Sequence, residues 1–336
     1  MVSWTAHLLS FGDVTIDMDV ACIGAGVMGQ RLLDQLDRHD DVAVTAICDL
    51  DESTARSVAE QRGATVYTDY ERLYRNERLD AVIIAIPSFA HTGQAITAAE
   101  QGLDLLVEKP VARTNEKARE IRAAIEDHGV ISQSGYLFRY SSLVERAEEL
   151  IDDRTISLID GRYWGGVPGR EWGRQKEKSG GGNVQLSTHV FDLVRYFGGD
   201  VERVAAFGGS RVNLESIDFE DVNSTTMKHE NGVVSHVSTN CVTPVGRKLE
   251  LVGDGFYLEL DFTHRRLTGT VDDETIEYES DDSNEALRRE ADAFVAAVTE
   301  QDDTYVRTDY GDAAKTLELT LAANEAIETG DPVSLS

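Results

Sequence analysis

Four groups of residues in this 336-residue chain have the types and spacing that chemistry requires. The first is Gly24-Ala25-Gly26-Val27-Met28-Gly29, set between a strand-like run (Asp19–Ile23) and a helix-like run (Gln30–Arg38). Glycines at this spacing allow a tight turn, a close approach of backbone to pyrophosphate, and close helix–strand packing, with the helix N-terminus facing the anion. Such a run alone also fits a flexible turn; the strand before it and the helix after it supply the confirming context. The second is Asp49, 20 residues beyond Gly29 at the end of the run Val42–Cys48. A carboxylate there accepts hydrogen bonds from adenosine ribose hydroxyls and repels a 2′-phosphate, so the expected cofactor is NAD, with NADP disfavoured.

The third group is Glu108-Lys109-Pro110, directly after Leu103–Val107. The carboxyl end of a parallel strand faces the ligand crevice, where an ammonium can hold a substrate hydroxyl and stabilise charge developing on oxygen. A surface ion pair between Glu108 and Lys109 is the competing reading. The fourth is a glycine-rich run, Ser179 to Gly182, followed by a helix-like stretch to about Phe197. At about 100° per residue, Gln185, His189 and Asp192 share one stripe of that helix. Leu186, Val190, Leu193, Val194 and Phe197 form a separate apolar stripe, which leaves His189 free to look into a cleft. A helical histidine satisfied by a carbonyl is the competing reading. No metal is expected, because Gln185 is a poor ligand and no second acidic or histidine partner is near.

These groups need positioning. Strand-like runs Asp19–Ile23, Val42–Cys48, Thr65–Tyr67, Ala81–Ile86, Leu103–Val107 and Val130–Ser134 alternate with helix-like runs Gln30–Arg38, Ser53–Gln61, His91–Gln101 and Asn115–His128. Such alternation predicts βαβ units and a doubly wound parallel sheet. Beyond Gly135 the runs alternate apolar and polar residues: Ile156–Tyr163, Val204–Phe207, Thr225–Lys228, Val233–Thr239, Lys248–Val252 and Tyr257–Phe262. Asn231-Gly232 marks a hairpin. Helical pattern returns at Glu285–Thr299 and Tyr310–Ile327. The expected fold class is α/β: a Rossmann domain over 18–135, then an α+β domain over 136–336 with a mostly antiparallel sheet, behind an N-terminal extension over 1–17.

Composition excludes several partners. With 61 acidic against 32 basic residues the formal charge is −29, which repels nucleic acid. No apolar run approaches the roughly 20 residues that span a bilayer, so no membrane partner is expected. Met1–Ile16 lacks the basic start and cleavage site of a secretory signal. Cys22, Cys48 and Cys241 lie far apart, a usage expected of a reduced, cytoplasmic protein.

Taken together, these residues resemble the glucose–fructose oxidoreductase / inositol dehydrogenase / MocA (Gfo/Idh/MocA) family, over nearly the whole chain from Met18. The resemblance rests on Gly24–Gly29, Cys48-Asp49, Ile86-Pro87-Ser88 with His91, Glu108-Lys109-Pro110, and the glycine stretch ahead of His189 and Asp192. It implies an NAD-dependent dehydrogenase acting on a sugar or polyol. Gly24, Gly26, Val27, Met28, Gly29 and Asp49 would hold the cofactor's adenosine and pyrophosphate, with Ile86, Pro87, His91, Glu108 and Lys109 toward the nicotinamide. His189 would take a hydroxyl proton as general base, and Lys109 would orient the same oxygen. Gln185 stands where many members carry Asp or Glu; glutamine orients by hydrogen bonds but cannot carry a proton. The candidate substrate contacts are Arg139, Tyr140, Tyr163, Trp164, Arg170, Trp172 and Asp192. The resemblance also implies a homo-oligomer, dimer or tetramer, that covers the second sheet. Two alternatives stay open: an enzyme that uses bound NAD transiently to drive elimination or glycoside cleavage, and a non-catalytic NAD(H) sensor.

The scattered acidic excess fits either an ordinary solvated surface or adaptation to high salt, where self-repulsion is screened. On the second reading, thermal unfolding shifts upward between dilute buffer and molar KCl. An unchanged midpoint with full activity in dilute buffer removes it.

Overall fold

The computed structural model describes residues 18–213, 215–244, 246–280 and 282–335. The extension expected over 1–17 lies outside the described residues. The first half is built on six strands: β1 (Met18–Ile23), β2 (Val42–Cys48), β3 (Thr65–Tyr67), β4 (Ala81–Ile84), β5 (Asp104–Val107) and β6 (Ser132–Ser134). Every pair is parallel, in the order β3-β2-β1-β4-β5-β6. Helices α1 (Val27–Leu36), α2 (Glu52–Glu60), α3 (Tyr70–Asn76), α4 (Gln94–Glu100) and α5 (Asn115–His128) connect them. β4 and β5 are buried along their whole length, as parallel strands covered on both faces must be. The order reverses between β1 and β4, which brings the loops after those strands together as a ligand crevice. β4 ends at Ile84 and not at Ile86, because the chain turns at Pro87 into a 3-10 turn over Ser88–Ala90.

The second half contributes α6 (Ser142–Ile151), β7 (Ile156–Trp164), two short helical turns α7 (Lys176–Ser179) and α8 (Gly181–Gln185), and α9 (Thr188–Gly198). Then follow β8 (Val201–Gly209), β9 (Val222–His229), β10 (Val234–Asn240), β11 (Gly246–Gly253), β12 (Phe256–Asp261), β13 (Arg266–Val271) and β14 (Glu274–Glu279). Helices α10 (Glu285–Glu300) and α11 (Tyr310–Thr329) and strand β15 (Val333–Ser334) end the fold. The strands form one sheet, β14-β13-β12-β11-β7-β10-β9-β8-β15, in which only β7 and β10 run parallel. The hairpin between β9 and β10 turns at Asn231-Gly232, with Gly232 at φ +94°. β13 and β14 escape a hydropathy reading because acidic and hydroxyl residues fill their alternate positions.

The single helix expected after the glycines is broken at Leu186-Ser187. The Ser187 hydroxyl donates to Gly182 O at 3.3 Å and to Asn183 O at 3.4 Å, one of the ways serine competes with helical backbone bonding. The stripe shared by Gln185, His189 and Asp192 therefore does not exist.

One apolar core lies on each face of the parallel sheet. Leu287, Ala291, Phe294, Val295 and Val298 of α10 complete one of them, and Tyr310, Ala313 and Leu317 of α11 join the other. A third core fills the space between the second sheet and α6, α9 and α11. The C-terminal helices thus tie the halves together.

At this joint lies a buried ion network. Arg139 Nε and Nη2 donate to Asp192 Oδ2 and Oδ1 at 2.8 and 2.7 Å. Nη2 also meets Asp312 Oδ2 at 2.6 Å, and Nη1 donates to Arg307 O at 2.8 Å. Arg195 pairs with Asp312 and Asp200. Burial opposes the charge on Arg139, and Asp192 and Asp312 outweigh it, holding the guanidinium protonated. Removing one partner of such a pair strands the other charge at a cost of about 3–5 kcal/mol. Arg139→Met is expected to lose that much in denaturant unfolding; a loss below about 1 kcal/mol would show the network to be dispensable.

Candidate active site

The glycine loop leaves β1 with Gly24 at φ +99°, where any Cβ would collide with the Ala85 carbonyl. At Gly29 a Cβ would strike Gly24 O, so α1 can sit this close to β1 only with glycine there. Gly26 faces open space, the room a pyrophosphate needs. Val27 is exposed and Met28 half-buried beside it. Asp49 is welded to this loop: its Oδ2 accepts from Ala25 N at 2.8 Å and its Oδ1 from Asp51 N at 2.9 Å. Each oxygen keeps a lone pair for a ribose hydroxyl, and the loop holds the carboxylate where a 2′-phosphate would meet it. These features fit a dinucleotide.

The loop after β4 packs Ile86 against Gly24 and carries Pro87 to the crevice edge. His91, expected near the cofactor, is instead enclosed. Neither ring nitrogen completes a hydrogen bond of good geometry, although the Ile86 carbonyl offers partial compensation. Burial pushes its pKa down to about 4.

Lys109 follows β5, half-buried, with a cis peptide to Pro110. Tyr310 OH donates to Val111 O at 3.0 Å and braces this segment. Glu108 does not turn toward the cofactor. Its carboxyl is buried, a Cβ built on Gly135 would stand 2.8 Å from its Cδ, and its Oε2 accepts from Lys109 N at 3.1 Å. Glu290 of α10, also fully buried, interacts with it electrostatically, and neither Glu290 oxygen has a hydrogen-bond partner. Burial pushes Glu108 up to about 7 against the pull of Lys109, and raises Glu290 well above the carboxylate range. The pair behind Lys109 therefore keeps a proton at neutral pH. Glu290 lies far along the chain from Glu108, and no local signal marks it.

His189 opens α9. Its ring lies 4.8 Å from that of Phe138 and 5.8 Å from that of Tyr136, and Phe138 stacks on Phe262 at 4.4 Å. Nδ1 is closed off without a partner, which leaves Nε2 to meet a substrate. Burial, then the charges of Lys109 and of Arg247, hold its pKa well below the ordinary histidine range. The imidazole is thus neutral and ready to accept a proton. The charge of Lys109 acts on His189; Gln185, on α8, is half-buried with its Oε1 enclosed and unpartnered.

Four expected substrate contacts fall away. Arg139 and Asp192 satisfy each other in the buried network. The Tyr140 hydroxyl is taken by Arg307 N at 3.0 Å. Trp164 is adjacent to Tyr163 in β7, so the two side chains point to opposite faces. Tyr163 faces the cleft side, while the Trp164 indole donates to Ser238 Oγ at 3.0 Å on the outer face, under Arg162. Trp172 stays at the crevice, edge-on to Phe89 at 5.7 Å, with Arg170 exposed nearby in the chain. Arg247 was not anticipated: only the pairing of β11 with β7, Arg247 opposite Tyr163, brings it here. A wide hollow of about 840 Å³, lined by Arg122, Glu126 and Asp302 among others, includes none of Asp49, Lys109, Gln185 and His189. Among the described residues no group of three His, Cys, Asp or Glu side chains can hold a metal ion, and no helix is long and apolar enough to cross a membrane.

Two family models account for most of the chain: the NAD-binding Rossmann fold of the Gfo/Idh/MocA oxidoreductases over residues 18–136, and the family's C-terminal domain over 144–259. The chain belongs to the Gfo/Idh/MocA family. Among its relatives, D-xylose 1-dehydrogenase (NADP(+)) 2 of Haloferax volcanii is 26% identical, over 93% of this chain and 97% of that one. A 2,7-anhydro-N-acetylneuraminate hydratase of Mediterraneibacter gnavus is 30% identical, over 56% of this chain and 52% of its own length. Levoglucosan dehydrogenase in complex with NADH shares the fold, with a TM-score of 0.85 at 20% identity over 95% of this chain and 99% of that one.

A histidine buried neutral destabilises a fold as pH drops below its unfolded value, because the unfolded chain takes up the proton first. For His91 the window runs from about 6.5 down to about 4, and the shift amounts to about 3 kcal/mol at its lower end. His91→Gln is expected to gain on wild type in thermal unfolding as pH falls through that window. A constant difference would show that His91 titrates normally.

Proposed function

We propose that this protein is an NAD-dependent dehydrogenase that oxidises a secondary alcohol of a sugar, polyol or sugar derivative. The observation that carries the reading is the meeting of an ammonium, Lys109, with a neutral buried imidazole, His189, beside a cradle that suits a dinucleotide. Bound NAD supplies the hydride acceptor. Nε2 of His189 takes the hydroxyl proton, and its neutral state means that no prior deprotonation is needed. Lys109 holds the same oxygen and offsets the negative charge that grows on it. Glu108 and Glu290 share one proton, so a single negative charge, and not two, stands behind Lys109. Gln185 has no proton to pass, so the proton leaves through His189 alone. Asp49 supports NAD over NADP, in contrast with the name of the Haloferax relative.

On the outer face of the second sheet, Val234, Leu158, Val252 and Tyr257 line up across four neighbouring strands, three of them exposed. This row supports a homo-oligomer. The hydratase relative favours one second reading, in which the same residues perform a redox-neutral elimination with NAD restored in each cycle.

The test follows nicotinamide absorbance over sugars, polyols and sugar acids with NAD and NADP in parallel, in dilute buffer and in concentrated KCl. NAD is expected to be reduced more efficiently than NADP. Lys109→Met and His189→Ala are each expected to lower kcat/KM by about a hundredfold or more, with NAD affinity retained. Substrate consumed without net absorbance change would select the elimination. NAD binding without turnover of any kind would leave a sensor.

A further inference from the structure

Several cations on the outer face of the second sheet have carboxylate partners. Lys248 pairs with Glu259 at 2.8 Å and Asp261 at 3.1 Å, Arg162 with Glu250 at 2.9 Å, and Arg266 with Glu277. Arg247, next to Lys248, points to the other face by strand alternation, and there no carboxylate pairs with it among the described residues. Other cations, Arg203 among them, also lack an ion-pair partner among the described residues; what sets Arg247 apart is its place opposite Tyr163 on the cleft face of the sheet. The guanidinium is held in place: it lies over the Tyr163 ring at 4.8 Å and Nη2 donates to Tyr163 OH at 3.1 Å. Its backbone fixes the cleft wall, since Arg247 O accepts from Phe262 N at 3.0 Å and Phe262 stacks on the Phe138 that flanks His189. The side chain itself is exposed, with donors left over after Tyr163. Its charge reaches His189 together with that of Lys109. The carboxylates around His189 and Lys109 are spoken for: Glu108 and Glu290 are buried, and Asp192 is locked to Arg139.

We propose that Arg247 is an anion subsite of the substrate cleft and that the substrate is a sugar acid, its carboxylate paired with Arg247 while its secondary hydroxyl meets His189 and Lys109. The assignment rests on the dehydrogenase reading and narrows its substrate class. A planar guanidinium matches the two oxygens of a carboxylate in a bidentate pair. One such fork suits a carboxylate better than a phosphate, which calls for several donors.

The experiment is calorimetric titration of the NADH-saturated protein, which binds the ligand without oxidising it, with D-glucuronate, D-galacturonate and D-gluconate, each beside its neutral amide, and with D-glucose 6-phosphate, at stepped KCl, together with an assay of NADH formation from each with NAD. At least one acid is expected to bind about tenfold more tightly than its amide, and less tightly as KCl rises. Arg247→Met should erase that difference by weakening the acid far more than the amide; Arg247→Lys, which keeps the charge without the fork, should recover part of it. Acids that bind no better than their amides, an Arg247→Met that weakens both alike, or a sugar phosphate that outbinds every acid would each overturn the proposal. Arg247-dependent acid binding without NADH formation would keep the subsite and remove the dehydrogenase reading. NADH formed from neutral sugars without preference for acids would do the reverse.

Discussion

Arg139 and Asp192 carry opposite charges into a place with almost no water, and the desolvation cost of doing so is recovered only because their geometry is bidentate and their remaining valences are filled. Thr316 Oγ1 donates to Asp192 Oδ1 at 3.0 Å, the Arg307 carbonyl takes Nη1, and Asp312 bridges to Arg195. The network joins the segment after β6, helix α9 and helix α11. Asp192 sits one turn beyond His189 on α9, so the same contacts that lock Asp192 set the rotation of the helix and the direction of the imidazole. A buried charge pair thus sets where the His189 imidazole points.

Around that imidazole the electrostatics are arranged by exclusion. Aromatic rings strip water from His189 and keep it neutral, while Lys109 and Arg247 add positive charge without adding a proton acceptor. The buried Glu108–Glu290 pair limits the opposing charge. Two carboxyls that cannot both ionise in a dry site hold one proton between them, so a single negative charge, and not two, stands behind Lys109.

Legibility in the sequence followed the range of the interactions. The parallel sheet and the glycine loop with Asp49 could be read because each depends on local periodicity and on short, fixed spacings. Lys109 and His189 were readable one at a time; their meeting is a property of the fold. Helix α9 was misread by one turn because a serine hydroxyl, and not an apolar position, broke the helix. The Trp164 error had a local remedy: neighbours in a strand face opposite ways, so Tyr163 and Trp164 cannot both line the cleft. Arg139–Asp192, Arg247 and Glu290 depend on pairings across 53 residues or more, for which a single sequence offers no pattern.

Helix α10 closes a core that the first half begins. Leu32, Leu33 and Leu36 of α1 and the strands beneath them find their cover in Leu287, Phe294 and Val295, which come late in the chain. During synthesis the dinucleotide-binding half emerges from the ribosome first, yet one greasy flank of its sheet stays bare until residues 287–298 have followed it. The two halves are consequently a single unit of biogenesis: the nucleotide cradle matures only when α10 folds back onto α1.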